Sequence, residues 1–144
     1  MFNKFIERKR ILQGMTEIPF SEYMKLIYPD LQKTEDEFDS TDFFSVDKDT
    51  RIELKCRRED FESFLIEKEK WDKLMKCNER EVFYICSSHM GIWKFRVQEL
   101  PEPLWKLEMH NKTTEIKNKS KDKKLKLVGY YPKEFGSEIT DEIL

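Results

Sequence analysis

The spacing of hydrophobic positions changes several times along this chain, and each change predicts an element. Up to about Gly14 the residues are basic and mixed, consistent with a short helix. Ser21 to Leu31 places Tyr23, Leu26 and Ile27 at helical spacing, with Ser21 as N-cap and Pro29 closing the segment. From about Phe38 to Val46 the composition turns to strand. Asp47-Lys48-Asp49 is a polar hairpin turn without the glycine of the best two-residue turns, and Thr50 to Arg57 is the returning strand. Phe61, Phe64, Leu65, Trp71, Leu74 and Met75 then fit one broad helical face running to about Cys77, with an interruption near Ile66.

Val82 to Ser87 is a short apolar run between polar residues, the pattern of a buried strand. His89-Met90-Gly91 turns the chain, and Ile92 to Val97 alternates as its hairpin partner. Pro101 and Pro103 break the pattern. Leu104 to Met109 reads as strand or short helix, His110 to Lys126 as polar loop, and Lys126 to Tyr131 as a last strand. These elements describe one α+β domain over residues 1–144, a central mixed β-sheet flanked by helices. Its core covers about residues 20–131, and the tail, 132–144, is expected to be flexible.

Charge alters the picture through its distribution. Although 39% of residues are charged, the net charge is only −2, so bulk charge gives no argument for nucleic acid. Between Lys117 and Lys126, however, six lysines stand against one aspartate, a local +5 that leaves −7 on the rest. Glu35, Asp36, Glu37, Asp39 and Asp42 form an acidic stretch. Acid gathered at a cation site with base elsewhere suits chemistry on phosphodiesters; a solvated lysine loop is the plain alternative. Three cysteines, Cys56, Cys77 and Cys86, without a CxxC pair suggest buried thiols in a reducing compartment rather than a disulfide framework. No signal-peptide core or membrane-length apolar run is visible, so a soluble, cytoplasmic protein with no membrane partner is expected.

The most informative segment runs from Asp42 to Lys55. Residues two apart on a strand share a face, so Glu53 and Lys55 stand together, Ile52 and Leu54 face the other way, and a hairpin returns Asp42 beside them. Two carboxylates and an ammonium can hold a hard divalent cation and set a positive charge beside an attacked phosphate. The plain structural alternative is a cross-strand ion pair for Glu53 and Lys55 and a turn cap for Asp42.

Helix, hairpin with Asp42 then Glu53-x-Lys55-x-Arg57, helix, strand: this order resembles the core of the PD-(D/E)XK nuclease superfamily, including restriction enzymes and Holliday-junction resolvases. Ile52-Glu53-Leu54-Lys55-Cys56-Arg57, then Leu65-Ile66-Glu67-Lys68 and Tyr84-Ile85-Cys86-Ser87, is also similar to small nuclease-like proteins of phages and bacteria. That similarity spans roughly residues 40 to 97, with an echo in His110-Asn111-Lys112-Thr113-Thr114.

The resemblance implies a restriction-endonuclease-like core. It also implies Asp42, Glu53 and the backbone carbonyl of Leu54 around Mg2+, with Mn2+ as substitute, and Lys55 as the catalytic ammonium. Asp39 competes with Asp42, and Glu22 on the early helix is a further metal carboxylate, with Glu17 its rival. Arg57, Arg58, Lys70, Ser87, Lys112, Thr113 and the lysine run are the DNA-contact candidates, with Lys68 and Ser88 beside them. Trp93, Trp105 and Tyr130 either stack on bases or pack in the core, whereas His89 and His110 make no zinc pair or histidine nuclease motif. The implied activity is Mg2+-dependent endodeoxyribonuclease, on branched or junction DNA and as a homodimer, of phage origin in a bacterial host. A catalytically silent nuclease fold that binds nucleic acid or inhibits a partner protein is the alternative.

Overall fold

A computed structural model describes residues 2–35, 42–57, 62–111 and 123–144. Two helices, α1 (Phe2–Gln13) and α2 (Glu17–Met24), precede a short strand β1 (Gln32–Lys33) and the hairpin β2 (Asp42–Ser45) and β3 (Thr50–Cys56). The connection onward contains β4 (Ser63–Glu67) and α3 (Lys68–Met75), and leads to a second hairpin, β5 (Glu81–Ser88) and β6 (Gly91–Arg96). Strands β7 (Lys106–Asn111) and β8 (Lys123–Pro132), a two-residue strand β9 (Ser137–Glu138) and a terminal turn of helix α4 (Thr140–Ile143) complete the order. The fold is mixed α+β, as expected.

The main sheet runs β1-β2-β3-β5-β6-β9, and a smaller sheet runs β4-β8-β7. Strands β3 and β5 are parallel while the other pairs are antiparallel. Parallel neighbours need a crossover, and β4 with α3 supplies it. The two faces of the main sheet therefore receive different covers. Phe43, Ile52, Leu54, Cys56, Phe83, Ile85 and Ile92 pack against Leu12, Phe20 and Met24 of the first two helices. On the other face, Val82, Tyr84, Cys86, Trp93 and Phe95 meet Phe64 and Ile66 of β4, Leu74 of α3 and Tyr131 of β8.

Local chemistry fixes the first hairpin. Its turn lacks glycine, and Asp49 takes the left-handed conformation at φ 48°, a region that Asp tolerates better than most residues. Asp30 braces the same turn, accepting from Ser45 Oγ at 2.5 Å and from the Asp47 amide at 2.9 Å. Those hydrogen bonds, the Asp47 amide first, hold the Asp30 carboxyl below its usual range. Lys48 Nζ donates to the Ile27 carbonyl at 2.7 Å, latching the turn to the chain that follows α2.

Four expectations about elements are corrected. The early helix starts at Glu17 after Thr16 and ends at Met24, so Ser21 lies inside it, bonded to the Ile18 carbonyl, and does not cap it. Ser63–Glu67 is a strand rather than helix: Phe64 and Ile66 alternate inward, fully buried, and β8 pairs with the whole segment. The apolar run Phe64-Leu65-Ile66 is too short to fix a period, and a partner strand decides. Lys123 to Lys126 belongs to β8 instead of to a loop. The C-terminal tail is also structured, because β9 pairs with β6 and Ile139 and Ile143 enter the core beside Ile92.

The tail gives a direct check. Ile139→Ala should cost about 2–5 kcal/mol, the usual range for emptying a buried isoleucine site, read as a lower urea midpoint. An unchanged midpoint would return the tail to the surface.

Candidate functional site

The register of the first hairpin sets Asp42 directly across from Glu53. Opposed residues of an antiparallel pair carry Cβ atoms about 4.5–5.5 Å apart on one face, and Lys55 is the next residue of β3 on that face. All three are buried: Asp42 and Glu53 are 2% exposed and Lys55 is 6% exposed. Ionised groups at that depth need partners. The hairpin provides one in Arg51, two residues before Glu53, whose Nη1 lies 3.4 Å from Asp42 Oδ2. Arg51 is itself clamped by Glu79, with Nε to Oε2 at 3.1 Å and Nη2 to Oε1 at 3.2 Å.

Helix α3 provides the others. Lys70 and Lys73 are three apart and so adjacent on one helical face; Lys70 Nζ lies 3.1 Å from Glu53 Oε1 and Lys73 Nζ lies 3.0 Å from Asp42 Oδ2. On the neighbouring stripe of α3, Trp71 and Leu74 enter the apolar core between sheet and helix. The helix thus lays its lysines over the carboxylates and its apolar residues over Tyr84 and Phe95. Asp42 and Glu53 face Arg51, Lys55, Lys70 and Lys73, with Glu79 against Arg51, so cations surround both carboxylates.

One acceptor at the centre is not satisfied. Among the described residues, Asp42 Oδ2 takes both cations, Arg51 and Lys73, while the buried Oδ1 has no hydrogen-bond donor. A buried oxygen without a donor carries a desolvation cost and calls for an explanation, and a hard cation is the kind of partner such an oxygen suits. Asp42 and Glu53, with the Leu54 carbonyl in the strand between Glu53 and Lys55, are therefore compatible in donor chemistry with a divalent ion. Among the described residues no group of three or more His, Cys, Asp or Glu side chains that could hold a metal ion is found. Burial, and then the Arg57 charge, push the Lys55 ammonium below its usual value, while Glu53 and Glu67 pull it back.

Glu67, at the end of β4, extends the ionic network. Its Oε1 accepts from Lys126 Nζ at 2.9 Å. Burial alone would raise the Glu67 carboxyl, but the hydrogen bond and charge of Lys126, with Lys55 and Lys70, hold it below the ordinary value.

Several expected contacts lie elsewhere. Glu22 is on the helix side of the sheet, exposed and paired with Lys25 at 3.0 Å, so it does not join Asp42 and Glu53. Its rival Glu17 is buried on that same helix. Arg57 is half-buried and serves the structure, its Nη2 donating to the Leu65 carbonyl at 3.0 Å beside the Tyr84 hydroxyl at 3.5 Å. Ser87 pairs in register with Cys56 and is fully buried on the helix face, away from the carboxylates. Ser88 accepts from the Met90 amide across the β5–β6 turn.

Of the two α3 lysines expected from the sequence, Lys70 reaches the site, as Lys73 also does, while Lys68 pairs with Asp72 at 2.9 Å. Trp93 is packed against Phe64 in the core, Trp105 stands edge-on to Trp71, and Tyr130 donates to Glu108. His110 Nε2 lies 2.9 Å from that Glu108 carboxylate. Asp39, Arg58, Lys112, Thr113 and residues 117–122 lie outside the described residues.

Arg51 and Lys73 are the site residues that sequence reasoning missed. Arg51 carried a signal in its period, since it is two residues before Glu53 on the same strand face. Lys73 carried one in its place one turn from Lys70, on a helix already expected to run to about Cys77. No protein-family model, curated protein or solved structure matches the chain, so the geometry of these residues carries the functional argument.

Lys126→Met tests the outer network. A carboxyl held below its unfolded value adds stability above the ordinary carboxylate range and loses it as pH falls through the depressed value. The variant should therefore lose about 3 kcal/mol at neutral pH, and its gap from wild type should narrow in acid as Glu67 protonates. Urea denaturation across that pH range reads both; a gap independent of pH would exclude the ion pair as its source.

Proposed function

We propose that the chain is a Mg2+-dependent endodeoxyribonuclease that hydrolyses phosphodiester bonds. The observation that carries this reading is the in-register opposition of Asp42 and Glu53 with Lys55 next on the same face, together with the donorless Asp42 Oδ1. The resemblance of Asp42 and Glu53-x-Lys55 to the PD-(D/E)XK pattern supports it. So does the order of elements, in which a hairpin bearing these residues leads through a helical crossover into a parallel strand.

In this reading Asp42, Glu53 and the Leu54 carbonyl hold the ion. A bound divalent cation would lower the pKa of a coordinated water and offset charge on the phosphate. Lys55, on the same face, orients the attacking water or steadies the charge that develops on the phosphate. Lys70, Lys73 and Arg51 supply a cationic surround that attracts a polyanion, an attraction that weakens with salt. The apolar half of the same sheet face, under β4 and α3, keeps the residues in place.

Branched or junction DNA is the substrate proposed from the resolvase-like motif, with a homodimer cutting two strands. An intracellular setting, of phage or bacterial origin, suits the free cysteines. Among the described residues no helix is long and apolar enough to cross a membrane.

A second reading, a catalytically silent nuclease fold that binds nucleic acid or a partner protein, is favoured by one observation. Both carboxylates already have ammonium partners and are almost fully buried. Plasmid, single-stranded and four-way-junction DNA incubated with Mg2+ or Mn2+ separates the two. Metal-dependent cleavage should fall by about 10²-fold or more in Lys55→Ala, with the fold retained by circular dichroism. DNA binding that survives EDTA, without cleavage under any metal, would instead establish the silent reading.

A further inference from the structure

Lys70 and Lys73 each place an ammonium on one of the two carboxylates that the proposed ion would share. From this geometry we infer that these two lysines are internal counter-ions, which a divalent cation enters by displacing, and that they set the affinity of the site for metal. The inference deepens the metal-dependent reading and rests on it.

The argument is one of charge and mobility. Two carboxylates at 2% exposure cannot stay ionised without compensation, so in the absence of metal something cationic must lie against them. The cations differ in how firmly they are held. Arg51 is fixed by its two contacts to Glu79 and touches Asp42 only at 3.4 Å. Lys70 and Lys73 are long side chains on the surface of an eight-residue helix, 25% and 36% exposed along the side chain. A lysine stem can swing its head to solvent while keeping its methylenes on the protein.

One incoming charge of +2 matches the two ammoniums that leave, so the exchange keeps the buried charge balanced. The donorless Oδ1 of Asp42 gives the entering ion an oxygen that neither lysine occupies. Once outside, both ammoniums stand at the rim of the site, where an approaching phosphate would meet them. Lys55 differs from this pair in being only 6% exposed and lying within the sheet, so it remains in place throughout.

The test reads metal binding directly, by isothermal titration with Mn2+ and by the electron paramagnetic resonance signal of free Mn2+, on the full chain. Lys70→Met and Lys73→Met should each bind Mn2+ more tightly, and the double variant at least about tenfold more tightly than wild type. The same substitutions should lower the Tm of metal-free protein and enlarge its rise on adding Mn2+. Lys68→Gln, whose ammonium pairs with Asp72, should leave the affinity unchanged. If the double variant folds only with Mn2+ present, that also supports displacement; if it does not fold at all, Lys70→Gln and Lys73→Gln give the same readout singly.

Binding in wild type that is lost in Asp42→Asn but not strengthened in the lysine variants would overturn the displacement and leave the metal site standing. No Mn2+ binding in wild type or in any variant would overturn both.

Discussion

Everything on the outer face of the first hairpin depends on how two buried carboxylates keep their charge. Asp42 and Glu53 lie opposite each other with almost no access to water, and like charges so placed repel. The repulsion is offset by Arg51 on the same hairpin and by Lys70 and Lys73 on α3. Helix α3 is therefore held to the sheet twice, by apolar packing of Trp71 and Leu74 and by two ion pairs. The crossover from β3 to the parallel β5 could have followed other paths over this face. The carboxylates make the path that brings two lysines over β2 and β3 the favourable one.

That arrangement depends in turn on the register of the hairpin. A slip of one residue would send Asp42 to the opposite face, into the layer occupied by Phe43, Ile52 and Leu54. Two features prevent it. The alternation of Phe43, Ile52, Leu54 and Cys56 against the helices commits one face to the core, and Asp30 pins the turn through Ser45 Oγ and the Asp47 amide. The left-handed Asp49 completes a turn that needs no glycine. Chemistry at the site thus begins with a turn some distance from it.

How much of this could be read in advance follows from which interactions are local. The hairpin, the shared face of Glu53 and Lys55 and the return of Asp42 depend on period two and a short turn, and those are visible in the residues. The buried strand β5 and its partner β6 are visible for the same reason. Ser63–Glu67 was hidden because Phe61, Phe64 and Leu65 fit a helical face, with Ile66 only as its interruption, and pairing with β8, more than sixty residues later, selects the strand. The tail was hidden because Ile139 and Ile143 stand among polar residues and find their apolar neighbours only in three dimensions. Lys73 was hidden because its partner, Asp42, lies on another element some thirty residues earlier. Glu22 failed for a different reason: an acidic residue on a nearby helix says nothing of which side of the sheet that helix covers.

The alternate residues of β3 on this face, with Arg57 just past its end, show why residue type alone does not assign a role. Arg51, Glu53, Lys55 and Arg57 follow at intervals of two across one end of the sheet face to the other, three cations and one anion in a single line. Arg51 meets Glu79 and Asp42 at the partly exposed end and becomes a brace. Glu53 and Lys55 lie deepest, beside Tyr84 and Cys86 of β5, and form the part of the line whose charges are most costly to keep. Arg57 reaches the edge where β4 passes, gives its guanidinium to the Leu65 carbonyl that Tyr84 Oη also donates to, and joins the two sheets. As a surface residue it would be a phosphate contact; fastened to a backbone carbonyl, it holds β4 beside the end of β3. The same spacing that puts four charged groups in a row distributes them among a brace, a buried pair and a structural tie, because their depth and neighbours change from one residue to the next.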